Sequence, residues 1–211
     1  MMLRTLAPSP RAARLLPALL SLLTFPALAA EDRDEWQQPE RVIADLALRP
    51  GAAVADVGCG TGYFTFRLAD AVGAGGRVLA VDIDDGALQD VRDIVANQQR
   101  TNIEVILSNP TDTRLQPAAV DAVLVCNVLH EAPAAQRPAL MQNIAQALRP
   151  GAFLFLLDWR QSHEVTFDPY DKLIPREDLV QLGEDASLAL DAEFHYLKYQ
   201  VFLRFRKPLQ P

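Results

Sequence analysis

From Val54 to Tyr63 the chain reads Val-Ala-Asp-Val-Gly-Cys-Gly-Thr-Gly-Tyr, a short apolar run that contains an acid and then three glycines at alternate positions. A run of this kind hands a strand over to a helix around a nucleotide-like ligand. Glycine suits such a turn because it accepts positive φ and lets the backbone approach a ligand where a Cβ would collide. Gly58, Gly60 and Gly62 give G-x-G-x-G, whereas the dinucleotide fingerprint G-x-G-x-x-G would need its third glycine at Tyr63. Asp82 closes the next apolar run, about 20 residues past the turn, where a carboxylate accepts hydrogen bonds from ribose hydroxyls. These residues predict a site for an adenosine-like ligand that need not contain a pyrophosphate.

The elements that must hold this turn follow from the spacing of apolar residues. Helical spacing runs over 34–48, where Arg49-Pro50-Gly51 stops it. Strand-like runs at 54–57, 77–82, 103–107, 121–126 and 153–158 alternate with helical runs at 63–72, 86–100 and 134–148, the last ended by Arg149-Pro150-Gly151. After a helix-like segment at 176–182, two β-rich runs at 188–196 and 199–206 read as a hairpin. The expected fold is α/β and Rossmann-like: a seven-stranded, mostly parallel sheet with helices on both faces and a C-terminal antiparallel hairpin.

With 211 residues, 50% hydrophobic and 22% charged, the chain fits one globular domain with a core of its own. Arg4, Arg11 and Arg14 precede an apolar run from Leu15 to Phe25, then Ala27-Leu28-Ala29, and the first acid is Glu31. This pattern predicts a signal peptide over 1–29, cleavage near Ala29 and a mature domain over 30–211. A membrane anchor is the weaker alternative, because Pro17 and Pro26 bracket a run well short of the usual ~20 residues. A transit peptide would be Arg-rich and amphipathic. The expected location is periplasmic or secreted, or cytoplasmic if the signal is not used.

The net charge of −7 disfavours a nucleic-acid partner, and loss of three arginines with the signal deepens it. Cys59 and Cys126 are the two cysteines. They read as small buried residues, joined by an oxidising compartment only if their Cα atoms approach to about 5.5 Å. His130, His163 and His195 are scattered, so no metal site is expected.

Taken together, Asp56-Val57-Gly58-Cys59-Gly60-Thr61-Gly62, Asp82, Asp121 opening a fourth strand and Leu148-Arg149-Pro150-Gly151 before a fifth resemble the motifs of class I S-adenosylmethionine-dependent methyltransferases. The resemblance covers roughly Trp36 to Trp159 and is nearest to the small ubiquinone- and menaquinone-type C-methyltransferases. It implies S-adenosylmethionine as cofactor, with backbone around Gly58, Gly60 and Gly62 cradling the methionine part, Asp56 helping to hold its ammonium group and Asp82 binding the ribose. Ile83 would lie against the adenine. The family often has an Asp after the third strand to meet the adenine amino group; here the position is Asn109, which keeps an acceptor without the charge.

Methyl transfer is an in-line displacement, so alignment is the main requirement and a base is needed only where the acceptor must lose a proton. Candidates follow the fourth strand in Asn127-Val128-Leu129-His130-Glu131, because ligands in such sheets bind at the carboxyl ends of strands. Asn127 is expected at the cofactor, His130 as the base and Glu131 as its orienting group; alternatively His130 bonds nearby backbone and Glu131 caps the next helix. Trp36 and Tyr63 are placed to cover the sulfonium as a cation, or simply to pack. Asp158 either faces the acceptor or pairs with Arg160 or a loop amide. The methyl acceptor, expected to be a small molecule, is not legible. A cofactor-binding protein without catalysis is the competing expectation, since the cofactor is made in the cytoplasm.

Overall fold

All five residues of Ala53–Val57 (β1) are buried, as a strand covered on both faces requires. The computed structural model describes residues 33–160 and 173–209. The expected signal peptide and His163 lie outside the described residues. Around β1 the chain runs α1 (Arg33–Gln37), α2 (Pro39–Asp45), β1, α3 (Thr65–Val72), β2 (Arg77–Asp82), α4 (Asp85–Asn97), β3 (Ile103–Leu107) and β4 (Val120–Cys126). It continues through α5 (Arg137–Ala147), β5 (Leu148–Trp159), α6 (Arg176–Asp185), β6 (Ala189–Phe194) and β7 (Gln200–Arg206). The seven strands form one sheet in the order β3-β2-β1-β4-β5-β7-β6. β1 to β5 pair in parallel, and β7 runs antiparallel to both β5 and β6. The expected architecture is therefore present.

Side-chain alternation along the strands sorts the core into two layers. Ala55, Val57, Val123, Val125, Leu154 and Leu156 face Met141 and Ile144 of α5. Val54, Ala122, Leu124, Phe155 and Phe202 face Val42 of α2 and Leu68 and Val72 of α3. Leu124 and Phe202 have no exposed surface, and truncating such a residue to Ala costs about 2–5 kcal/mol. Asp56 has the parity of Val54, so its carboxylate points to the α3 side.

Two expected boundaries change. The single helix over 34–48 is two helices, because Gln38 adopts φ 46 ahead of Pro39; a residue before proline is pushed out of the right-handed helical region. β5 begins at Leu148 rather than 153. Leu148 pairs with Val120 and Phe153 with Ala122, so Arg149-Pro150-Gly151 is accommodated as an irregularity inside the strand. The helices also start later than the spacing suggested: α3 at Thr65, after the glycine turn, and α5 at Arg137.

The strand order reverses between β1 and β4, which are neighbours although β2 and β3 intervene in sequence. In such sheets the crevice at the carboxyl ends of the two strands is where ligands bind. Both the glycine turn, after β1, and the Asn127 to Glu131 segment, after β4, open onto it.

Candidate active site

Two cavities lie side by side at this edge, of about 410 and about 470 Å³, and Gly58 and Asn127 line both. The first is walled by Arg33, Trp36, Asp56, Gly60, Tyr63 and Trp159 among others. The second is walled by Asp82, Ile83, Ser108, Asn109 and Glu131. One groove thus passes over the glycine turn from the β1–β4 crevice to the end of β2.

The turn is held by its own sequence. Gly58 N and Cys59 N donate to the Val81 carbonyl at 2.8 and 3.1 Å, and Gly60 N donates to Asp82 Oδ2 at 2.7 Å. Gly58 has φ 74, and a Cβ there would lie 2.2 Å from Val128 Cγ2; Gly60 has φ 53, and a Cβ there would meet nothing within 4 Å. The first glycine is required by packing. The second faces open groove, so a side chain there would enter the space a ligand needs. Gly62 ends the turn against Phe66 and lines neither cavity.

Asp56 is 2% exposed and accepts a 2.7 Å hydrogen bond from Thr65 Oγ1 at Oδ2. Burial pushes its carboxyl up to about 6, against the lowering effect of the Thr65 hydroxyl. A buried carboxylate in a cavity wall favours a cation opposite it. Asp82 spends Oδ2 on Gly60 N and Oδ1 on Asp84 N, at 2.7 and 2.9 Å. Each carboxylate oxygen has a second lone pair, which leaves acceptors for two hydroxyls. Ile83 is 60% exposed at the mouth of the second cavity, an apolar surface suited to the face of a flat ring. Asn109 lines the same cavity, its backbone paired with Asp112. These features fit S-adenosylmethionine: a carboxylate for the ammonium end, a glycine turn for close approach, acceptors for the ribose and an apolar lip for the adenine.

After β4, Asn127 adopts φ 58 and joins a buried amide chain. Gln37 Nε2 donates to Gln200 Oε1, and Gln200 Nε2 donates to Asn127 Oδ1, each at 2.6 Å. Gln37 and Gln200 are fully buried. This chain fastens α1 and β7 to the residue shared by both cavities.

His130 lies one turn further, between the ends of β4 and β5. Its Nδ1 is 2.8 Å from Asp158 Oδ1, and its Nε2 is 3.3 Å from Glu131 Oε1. Asp158 is 1% exposed and also accepts from the backbone N–H groups of His130 and Trp159, at 3.2 and 2.8 Å. The side chain that orients His130 at Nδ1 is therefore Asp158 from β5; Glu131, its neighbour in sequence, stands at the other nitrogen. His130 itself lines neither cavity, while Glu131 lines the second.

Of the expected aromatics, Trp36 tilts onto Trp159 with ring centroids 5.0 Å apart, and both line the first cavity. The Tyr63 ring carries the Arg33 guanidinium 3.6 Å from its centroid and that of Arg67 at 4.5 Å, with its hydroxyl on Asp34 Oδ1 at 2.6 Å. Cation contact at Tyr63 thus comes from the chain's own arginines. Cys59 and Cys126 line the first cavity as free thiols. Burial pushes the Cys126 thiol up to about 12 and that of Cys59 higher still.

Sequence reasoning missed Arg33, Thr65, Asp158 as partner of His130, and the Gln37–Gln200 link. Thr65, nine residues after Asp56 on the first helical turn, had a local signal. The other three depend on which strands and helices end side by side.

Residues 54–151 match the model of a family described as a methyltransferase domain. The chain is 25% identical over 134 residues to a demethylmenaquinone methyltransferase of Shouchella clausii, covering 64% of this chain and 55% of that protein. It thus spans about half the length of that curated relative. A crystal structure of an S-adenosylmethionine-dependent methyltransferase from Aquifex aeolicus superposes with a TM-score of 0.76 at 23% identity, covering 85% of this chain and 96% of that one. A protein of Bordetella parapertussis, titled a possible exported protein, superposes with a TM-score of 0.69 at 19% identity, over 95% of this chain and 76% of that one. At these identities the two structures report on the fold. Residues 54–151 therefore resemble a methyltransferase domain, within a chain whose fold is shared with S-adenosylmethionine-dependent methyltransferases.

Proposed function

We propose that the protein transfers the methyl group of S-adenosylmethionine to a small-molecule acceptor. The observation that carries this reading is one groove at the switch point with a buried carboxylate, Asp56, at one end of the glycine turn and a half-buried one, Asp82, at the other. Bound there, the cofactor supplies a methyl group on an electrophilic sulfonium. Asp56 holds the ammonium end, Gly58 and Gly60 admit the backbone close to the ligand, and Asp82 takes the ribose hydroxyls. Ile83 packs against the adenine and Asn109 meets its edge. Trp36 and Trp159 exclude water from the first cavity, which strengthens the electrostatic contacts within it. His130, aligned by Asp158, accepts a proton where the acceptor must lose one. The low-identity relation to a demethylmenaquinone methyltransferase supports a small acceptor without naming it.

The test is incubation of the mature protein with methyl-labelled S-adenosylmethionine and small-molecule extracts. Label in an acceptor, lost in the Asp82→Ala variant, is the expected result. Saturable binding with no transfer to any acceptor would instead support a second reading, a cofactor-binding protein without turnover. That reading is favoured by the signal peptide expected over 1–29, which would carry the protein away from the compartment where the cofactor is made. Export is itself part of the proposal, supported by that sequence and by the fold shared with the Bordetella protein. Mass spectrometry of the N-terminus after cell fractionation decides it: a chain beginning at Ala30 outside the inner membrane is expected, and a full-length cytoplasmic chain would contradict it.

A further inference from the structure

The first cavity contains two opposite charges that do not neutralise each other. Asp56 and Arg33 both line it, and the Arg33 charge acts on Asp56, yet no salt bridge joins them. Among the described residues Arg33 has no carboxylate partner; its guanidinium rests on the Tyr63 ring at 3.6 Å. That ring is fixed in turn. The Tyr63 hydroxyl donates to Asp34 Oδ1 at 2.6 Å, and Asp34 Oδ2 pairs with Arg67 at 3.0 Å. The Arg33 guanidinium is thus held in the wall of a cavity that also carries the buried Asp56 carboxylate and the touching rings of Trp36 and Trp159. A wall with a fixed cation and a separate fixed anion complements a zwitterion. A ligand carrying only an ammonium would leave the guanidinium unanswered.

We infer that Arg33 binds the α-carboxylate of the cofactor's amino-acid end and makes the site selective for nucleosides with an intact zwitterion. This rests on the reading of the groove as an S-adenosylmethionine site and goes beyond it, because the glycine turn, Asp82 and Ile83 would accept any adenosine thioether or sulfonium. Arginine suits the task, since its planar fork matches a carboxylate with two parallel hydrogen bonds. The position also makes α1 part of the site, so the short helix that follows the expected cleavage point closes over the ligand through Arg33 while Gln37 anchors it to Gln200.

The experiment is equilibrium titration of the mature protein with S-adenosylmethionine and with decarboxylated S-adenosylmethionine, which lacks only the carboxylate. The wild type is expected to favour the first by about 10- to 100-fold, the range of one charge-assisted contact. Arg33→Gln should lower affinity for S-adenosylmethionine by that factor and leave the decarboxylated compound unaffected, bringing the ratio near one. Arg33→Lys should restore part of the preference, and Asp56→Asn should weaken both compounds alike, because both keep the amine. Thermal melting of each variant separates these effects from loss of fold. A preference unmoved by Arg33→Gln in a folded protein that still binds S-adenosylmethionine would overturn the Arg33 assignment alone. A wild type that binds neither compound would overturn the cofactor reading and this proposal with it.

Discussion

His130 Nδ1 lies 2.8 Å from Oδ1 of Asp158, a carboxylate that is 1% exposed and receives two backbone N–H groups besides. The pair joins the ends of two neighbouring parallel strands, β4 and β5. A carboxylate fixed by three donors cannot rotate away, so it sets the orientation of the imidazole. If His130 serves as the base, Asp158→Asn should lower kcat by about 10²- to 10⁴-fold and leave cofactor affinity nearly unchanged. His130→Gln should do the same, and the double variant should be no worse than either alone. Independent losses that multiply in the double variant would assign the pair a structural role.

Asp56 links stability to pH with an unusual sign. Its carboxyl is raised from 3.8 to about 6 by burial, so between these values the folded state holds a proton that the unfolded state has released. Its contribution to stability therefore falls as pH rises through that window and stays low above it. Asp56→Asn should stabilise the ligand-free protein at pH 7 by on the order of 2–3 kcal/mol, measured by denaturant unfolding. The same substitution should weaken cofactor binding. In the wild type, affinity for the cationic ammonium end should be flat above about pH 6 and fall up to tenfold per pH unit below it, as the carboxyl protonates. An affinity independent of pH from 5 to 8 would remove Asp56 from the ammonium.

Gly58 and Gly60 should respond differently to alanine, although both have positive φ. At Gly58 the new methyl would lie 2.2 Å from Val128 Cγ2, so Gly58→Ala should destabilise the fold by about 1–3 kcal/mol through overpacking. At Gly60 it would meet nothing, and only the backbone cost of about 1 kcal/mol applies. Gly60→Ala should fold and lose cofactor affinity. Equal melting temperatures for the two variants would show that the turn is placed differently.

Gln200 donates to Asn127 and accepts from Gln37 with no exposure to solvent. Gln200→Leu leaves the buried Gln37 amide without its acceptor, which costs about 1–3 kcal/mol in denaturant unfolding. Because Asn127 lines both cavities, affinity for S-adenosylhomocysteine should fall as well. A variant with unchanged stability would mean that the amide chain is replaced by water.

How far the chain could be read in advance depended on the range of the interaction. The glycine turn, Asp56 and Asp82 are local to one β-α-β passage, and their spacing alone brought them to a single groove. The mostly parallel sheet and its antiparallel C-terminal hairpin also followed, since strands that alternate with helices pair in parallel. Where expectation failed, the determinant was local chemistry overlooked or a contact distant in sequence. Gln38, at φ 46 just ahead of Pro39, interrupts the helical run and splits one helix into two. Arg149-Pro150-Gly151, which elsewhere would end an element, sits within β5 because Leu148 pairs with Val120 across a shift of register. Asp158 and His130 are 28 residues apart, and Gln37 and Gln200 are 163 apart. Nothing in either residue's own neighbourhood announces its partner.

The most direct measurement is calorimetric titration of the mature protein, from Ala30 onward, with S-adenosylmethionine and S-adenosylhomocysteine, and with NAD as the control. The account predicts saturable one-site binding of the first two and none of NAD, with affinity lost in Asp82→Ala while the melting transition persists. No binding of either compound by the folded wild type, or equal binding of NAD, would contradict it.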